Sequence, residues 1–278
     1  MASCTETHHV HATGDCDIHY WMGGREGAPL VVLSPGAFTD HRMFDDQIGV
    51  LQKRFRTLRW DPRGHGLSRP SGRAFSTVLA AQDLISILDA LGEIRVALVG
   101  QSIGGNISQE VLFHWPERVS AAVLLGCTCS TIGPSWIERW LLDLTPALIG
   151  LYPTASFKRQ VGRKSAISQH AAVALSAMAS PLSRSDIRAI AEGIAGAIHD
   201  EPCYRIQHPI LIVRGARDNL GNLRRISERW HARDPRSVML VIPEAGHVAN
   251  MDNPGGFNTA MVEFLTSATS AGSEGRGS

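Results

Sequence analysis

Apolar residues along this chain fall into two patterns, and the patterns alternate. Short runs rich in Val, Ile and Leu recur at Pro29 to Ser34, Val96 to Val99, Val119 to Leu125, Pro209 to Val213 and Ser237 to Ile242. Runs of this kind, bounded by glycine, proline or polar residues, predict buried strands. Arg56 to Trp60 adds another, and so does Asp17 to Met22, closed by a turn at Gly23-Gly24-Arg25-Glu26-Gly27. Between the strands lie stretches with helical spacing. In Ser76 to Leu91 the residues Leu79, Leu84, Ile87, Leu88 and Leu91 recur near that period, and Gly92 closes the segment. Helices are also expected from about Met43 to Arg54, from Ser102 through Leu112 to a stop at Pro116, from Asn222 to Ala232 and from Pro254 to Thr266. Strand alternating with helix makes this an α/β chain.

The alternation breaks from Ser130 to about Gln207. Helix-compatible segments lie there near Pro134 to Leu144, Pro146 to Tyr152, Ala155 to Lys164, Ile167 to Ala179 and Ser183 to His199. Trp136, Trp140, Leu144, Leu148 and Phe157 are among the apolar residues, whereas Lys158, Arg159, Arg163 and Lys164 are expected to form a solvated face. After the last helix the chain is rich in Ser, Gly and Ala, and residues 269–278 are expected to be a disordered tail.

Composition narrows the class. The 278 residues are 44% apolar and 19% charged, ordinary for a soluble globular protein and enough for one large domain with or without an insertion. A formal net charge of +1 makes no electrostatic case for nucleic acid or an acidic membrane. No apolar run is long enough to span a bilayer. Met1 to His11 lacks the apolar stretch of a secretory signal. Cys4, Cys16, Cys127, Cys129 and Cys203 follow no zinc spacing, and their odd number suits a reducing cytoplasm. Cys127 and Cys129 read as small buried hydrophobes in preference to a redox pair. His8, His9 and His11 lie near Cys4, but no carboxylate or second ligand pair completes a metal set, and they read as exposed residues of an edge strand. A homo-oligomer is compatible with all of this.

One strand ends on the strongest candidate for chemistry. Val96 to Val99 runs into Gly100-Gln101-Ser102-Ile103-Gly104-Gly105, and a helix-compatible segment follows. Gly-x-Ser-x-Gly in that setting matches a nucleophile elbow. Such a turn forces its serine into a strained backbone conformation and crowds the residues two before and two after it, which suits Gly100 and Gly104. Ser102 Oγ would stand above the sheet edge at the positive end of the next helix. Pro29 to Ser34 runs into Pro35-Gly36-Ala37-Phe38-Thr39-Asp40, at the strand end where open α/β sheets bind ligands. Arg56 to Trp60 runs into Asp61-Pro62-Arg63-Gly64-His65-Gly66-Leu67-Ser68, where Asp61 is expected to bond its own loop and His65 to be structural.

Gly-Gln-Ser-Ile-Gly-Gly between strand and helix, with the upstream Asp-Pro-Arg-Gly-His-Gly-Leu-Ser, resembles the α/β-hydrolase superfamily over nearly the whole chain, from about Asp17 to Leu265. The resemblance implies a mostly parallel eight-stranded sheet flanked by helices, with core segments 7–129 and 208–268 and a helical cap inserted at 130–207. It also implies a Ser-His-Asp triad and an oxyanion hole of two backbone N–H groups. Asp218, at the end of Gly215-Ala216-Arg217-Asp218, matches the family's acid, and His247, in Gly246-His247 after the last strand, matches its histidine. Ser102, Asp218, His247 is the chain order of this fold. His247 would take the Ser102 proton and pass it to the leaving alcohol, and Asp218 would orient the imidazole. The N–H groups of Ala37 and Ile103 would hold the oxyanion. Phe38, Trp136 and Trp140 are the expected pocket residues, because aromatic side chains wall small-molecule sites. No metal or organic cofactor is called for, and the expected partner is a small ester or lactone.

Within the superfamily, Leu33-Ser34, Met43-Phe44-Asp45-Asp46-Gln47-Ile48, Phe55-Arg56-Thr57-Leu58-Arg59 and Asp61-Pro62-Arg63-Gly64-His65-Gly66 are similar to the amino-terminal half of 3-oxoadipate enol-lactonase-like enzymes. Those also lack the His-Gly that many members carry where this chain has Pro35-Gly36. The cap resembles them less, so ester or lactone hydrolysis carries over and the particular lactone does not. A serine at the elbow argues against the dehalogenase and epoxide hydrolase branches, which use an aspartate nucleophile. The alternatives are C–C bond hydrolysis, perhydrolysis or a lyase reaction on the same triad, or a ligand-binding member of the fold without activity.

Overall fold

A computed structural model describes residues 6–274 of the chain. Its strands are β1 (Thr7–Ala12), β2 (Asp17–Gly24), β3 (Leu30–Ser34), β4 (Arg56–Trp60), β5 (Val96–Gln101), β6 (Val119–Leu125), β7 (Ile210–Gly215) and β8 (Ser237–Ile242). They form one sheet in the order β1-β2-β4-β3-β5-β6-β7-β8. The pairs β1–β2 and β2–β4 are antiparallel, and the other five pairs are parallel.

The unbroken apolar runs follow from burial on both faces of this sheet. Side chains alternate along a strand, so in β3 Leu30 and Val32 enter one core cluster while Val31 and Leu33 enter the other. The first face is covered by α2 (Thr77–Ala90) and α3 (Ile103–His114), through Leu84, Ile87, Leu88, Ile107 and Val111. Trp230 of α8 (Leu223–Arg233) joins them. The second face is covered by α1 (Asp45–Leu51) and α10 (Pro254–Glu274), through Ile48, Leu51, Phe257, Met261 and Leu265. Each of these large side chains contributes roughly 1.5–3 kcal/mol relative to exposure.

Between β6 and β7 the chain forms α4 (Trp136–Leu151), α5 (Thr154–Ser165), α6 (Gln169–Ala179) and α7 (Arg184–Ala195). α4 packs on α7, and α5 on α6. The two segments expected on either side of Pro146 are one helix, α4. Proline withholds one hydrogen bond, but the capping box of Ser135 and Glu138 starts the helix and it runs on through the gap. The helix expected from Met43 is shorter at both ends. A 3-10 turn at His41–Phe44 leads into α1, and the chain turns at Leu51, whose carbonyl oxygen accepts the Arg54 and Phe55 N–H groups. At the other end of the chain, α10 runs to Glu274, so residues 269–274 of the expected tail are helical. No glycine or proline interrupts residues 266–271. The last four residues lie outside those described.

The loop after β4 behaves as its sequence indicates. Asp61 Oδ2 accepts the Leu67 N–H and Oδ1 the His41 N–H, both at 2.8 Å. Gly66 (φ +45°) leaves room for that carboxylate, which a Cβ would strike. Arg63 is fully buried and donates to Asp83 at 2.6 and 2.7 Å. His65 is buried too, donates from Nδ1 to the Arg63 carbonyl oxygen at 3.1 Å, and has its pKa lowered by burial. It is a structural histidine. His8, His9 and His11 lie on the edge strand β1; Cys4 lies outside the described residues. The acid–histidine cluster with ligand-like spacing among the described residues is Asp40, His41 and Asp61. Its atoms are engaged internally, with Arg42 on Asp40 at 2.7 and 2.9 Å and His41 on Asp61 at 2.9 Å.

Candidate active site

Because β3, β5, β6, β7 and β8 run in one direction, their carboxyl ends lie along one edge of the sheet. Ser34 pairs with Gly100, Gln101 with Leu125 and Gly215 with Ile242. The segments leaving those ends carry Ala37 and Phe38, Ser102, Gly126, Asp218 and His247 in turn.

Ser102 has φ +51° and ψ −119°, a conformation that is costly for a residue with a side chain. Its N–H donates to the Leu125 carbonyl oxygen at 2.8 Å, and its own carbonyl accepts the Gly105 N–H at 2.9 Å. The flanking glycines are a steric requirement. A Cβ on Gly100 would strike the Gly104 carbonyl, and one on Gly104 would strike that of Ser34. Ile103 is the first residue of α3, where backbone N–H groups have no partner within the helix.

His247 Nδ1 donates to Asp218 Oδ2 at 3.0 Å, with the Asp218 side chain 1% exposed. The second carboxylate oxygen of Asp218 accepts the Leu220 N–H at 3.0 Å. The backbone of His247 is held as well. Its N–H donates to the Ser165 carbonyl oxygen at 2.9 Å, and its carbonyl accepts Gln101 Nε2–H at 3.0 Å.

Ser102 and His247 line one cavity of about 540 Å³ together with Ala37, Ile103 and Phe38. Phe38, at φ +66°, meets Phe157 of α5 edge-on, with ring centroids 5.0 Å apart. Leu142 and Ile149 of α4, and Tyr152 after it, add further apolar wall. The geometry thus brings together Ser102, His247, Asp218, Ala37, Ile103 and Phe38. It does not bring in Trp136 and Trp140. They are 81% and 60% exposed and lie outside the cavity, on the side of α4 opposite Leu142 and Ile149. Lys164 is exposed, as expected of a solvated face, and also lines the cavity. Gln101 and Gly126 also line it and touch His247, roles that sequence reasoning missed. The place of Gln101 inside the elbow motif was the available signal for it. Gly126 carried none beyond its place at a strand end.

The family model described as "Alpha/beta hydrolase family" matches residues 31–260. Among curated proteins, 3-oxoadipate enol-lactonase 2 of Acinetobacter baylyi is 25% identical over 253 residues, covering 90% of this chain and 94% of that protein. Among solved structures, a hydrolase from Pseudomonas aeruginosa aligns with a TM-score of 0.83 at 24% identity, covering 95% of this chain and 99% of the other. The enol-lactonase from Burkholderia xenovorans aligns with a TM-score of 0.78 at 20% identity, covering 93% and 100%. At these identities the structural likeness speaks for the fold, and the chain is similar to these proteins along almost its whole length.

Proposed function

The chain belongs to the alpha/beta hydrolase family, and we propose that it is a cofactor-independent serine hydrolase cleaving a small carboxylic ester or lactone. The observation that carries this reading is the 3.0 Å contact of His247 with Asp218, beside a strained Ser102 that opens on the same cavity as His247.

In this reading a serine hydroxyl, weak as a nucleophile at neutral pH, is activated by an adjacent base. Ser102 Oγ attacks the carbonyl carbon while His247 Nε2 takes its proton. Asp218 fixes the proton on Nδ1 and stabilises the imidazolium. The N–H groups of Ala37 and Ile103 hold the tetrahedral oxyanion, each worth about 3 kcal/mol in the transition state. Collapse expels the alkoxide, which takes the proton from His247; from a lactone it stays tethered to the acyl group. Water then attacks the acyl-enzyme, giving its proton to His247, and Ser102 Oγ leaves by taking that proton back as the carboxylic acid is released.

Helices α4 to α7 act as the cap in this scheme. Their apolar side chains favour a substrate with an uncharged body around the scissile carbonyl. A second cavity, about 670 Å³, adjoins the first and shares Thr128, Leu142, Ile198, Leu220 and Leu223 with it. The test is a panel of p-nitrophenyl esters and lactones, with vinylogous diketones beside them, run on wild type and Ser102→Ala. Turnover of an ester or lactone that falls by about 10³-fold or more in the variant, with its melting temperature retained, supports the reading. Full turnover in Ser102→Ala overturns it.

A further inference from the structure

The loop that carries His247 is tied to the helical insertion, and one carboxylate makes most of the tie. Asp252 ends the short helix α9 (Ala249–Asp252) that follows the histidine. Its Oδ2 accepts the Gly246 N–H at 2.8 Å, on the histidine side. Its Oδ1 accepts the Ser168 N–H at 2.9 Å and the Ile167 N–H at 3.0 Å, and Oδ2 lies 3.1 Å from the same Ile167 nitrogen. Ile167 and Ser168 are the junction between α5 and α6. That junction also reaches back, since the Ser165 carbonyl oxygen accepts both the His247 N–H at 2.9 Å and the Val248 N–H at 3.3 Å. Ser168 is the N-cap of α6, so the Asp252 carboxylate sits at the positive end of that helix. The approach is tight at Gly246, where a Cβ would lie 3.0 Å from the Ser165 oxygen and 3.2 Å from Asp252 Oδ2.

We propose that Asp252 is a positioning residue for the hydrolysis: by clamping the His247 loop to the α5–α6 junction, it makes the insertion set the place of the base over Ser102. The proposal rests on His247 being the base, as argued above. Three groups hold the backbone around His247, namely Ser165 on its N–H, Gln101 on its carbonyl and Asp252 on the preceding Gly246. Asp252 alone of these is charged, and hydrogen bonds to an ionised acceptor are roughly twice as strong as neutral ones. A single-turn helix such as α9 has little stability of its own to fix the loop. A base displaced by about 1 Å costs on the order of a hundredfold in rate. Ser165 and Lys164 also line the cavity, so the clamp lies where substrate meets the insertion.

The test uses the full chain and three substitutions. Asp252→Asn keeps the shape but loses the charge and turns an amide NH₂ toward N–H donors. Ser168→Pro removes an N–H from the insertion side at a φ of −74° that proline accepts, and Ser168→Ala controls for the lost hydroxyl. Kinetics are measured on the best ester of the panel, with active sites counted by a fluorophosphonate titrant. The expected result is kcat lowered by about 10- to 100-fold in Asp252→Asn with KM changed by less than about threefold. Ser168→Pro should lower kcat relative to Ser168→Ala, and the Asp252→Asn/Ser168→Pro double variant should fall little below Asp252→Asn. An unchanged kcat per titrated site in Asp252→Asn overturns the proposal, whatever its melting temperature, and so do effects that simply multiply in the double variant. If Asp252→Asn fails to fold, kcat of Ser168→Pro against Ser168→Ala decides alone. An inactive Ser102→Ala beside a fully active Asp252→Asn leaves the serine mechanism standing and removes only the clamp; an active Ser102→Ala removes the mechanism itself.

Discussion

Gly126 leaves no space for a side chain beside His247: a Cβ there would lie 2.8 Å from the histidine's carbonyl oxygen and 3.3 Å from its Nδ1. Nδ1 is the atom that meets Asp218. Gly126 also has φ +56°, in the left-handed region that disfavours residues with a Cβ by about 1–2 kcal/mol. Gly126→Ala should therefore lower stability by about that amount and kcat by at least about tenfold, because the imidazole must shift. A thermal melt and steady-state kinetics on the variant check both. Wild-type kcat in Gly126→Ala would mean that the imidazole does not work from this position.

The cavity wall makes a prediction about the insertion's aromatic residues. Phe157 packs against Phe38 inside the cavity, whereas Trp136 and Trp140 face outward. Phe157→Ala should raise KM several-fold for bulky esters, while Trp136→Ala and Trp140→Ala should stay within about twofold of wild type. KM measured across acyl lengths distinguishes the two groups, and a large loss in either tryptophan variant would contradict the assignment of the wall.

Glu110 of α3 sets a pH dependence of stability. It is 1% exposed, and burial raises its pKa from 4.5 to about 7, against the opposing effect of a hydrogen bond from Thr77 Oγ1 at 3.4 Å. His114 Nε2 lies 3.6 Å and His199 Nε2 3.5 Å from its carboxylate, and His199 also faces Glu201 at 3.8 Å. Burial lowers the His199 pKa. The folded state thus binds the Glu110 proton more tightly than the unfolded state does. That contribution is fully present below pH 4.5 and is lost as pH rises through about 7, a change of roughly 3 kcal/mol at most. Glu110→Gln stays neutral throughout. Its stability relative to wild type should rise from pH 5 to pH 8, measured by urea unfolding at both. A difference that does not change with pH would show that Glu110 ionises as an ordinary carboxylate.

Much of the fold could be read from the chain because its signals are local. The central strands announce themselves since a sheet covered on both faces demands Val, Ile and Leu at successive positions, as in β3 and β6. Ser102 was legible for a similar reason, as the elbow imposes its glycines within two residues on either side. Asp218 and His247 were legible only through the order of motifs in the family, since nothing local marks an aspartate that will meet a histidine far along the chain. Contacts that depend on packing left no such trace. Asp252 reaches Ile167 and Ser168 across the interval that separates the histidine loop from the insertion, and no spacing rule connects them. Trp136 and Trp140 looked like pocket residues because they are aromatic and lie in the insertion. Which side of α4 faces the cavity is marked by Leu142 and Ile149, and the tryptophans lie on the other side. Pro146 looked like a boundary, and helix α4 passes through it.

In the proposed mechanism Ser102 is a nucleophile activated by His247. A fluorophosphonate probe reacts with such a serine, so the most direct measurement is the site and rate of labelling, mapped by mass spectrometry on wild type, His247→Ala and Ser102→Ala. The expected result is one phosphonyl adduct per chain, on Ser102, forming at least about a hundredfold more slowly in His247→Ala and absent from Ser102→Ala. No adduct on Ser102 in wild type, or labelling that proceeds equally fast without His247, would contradict it.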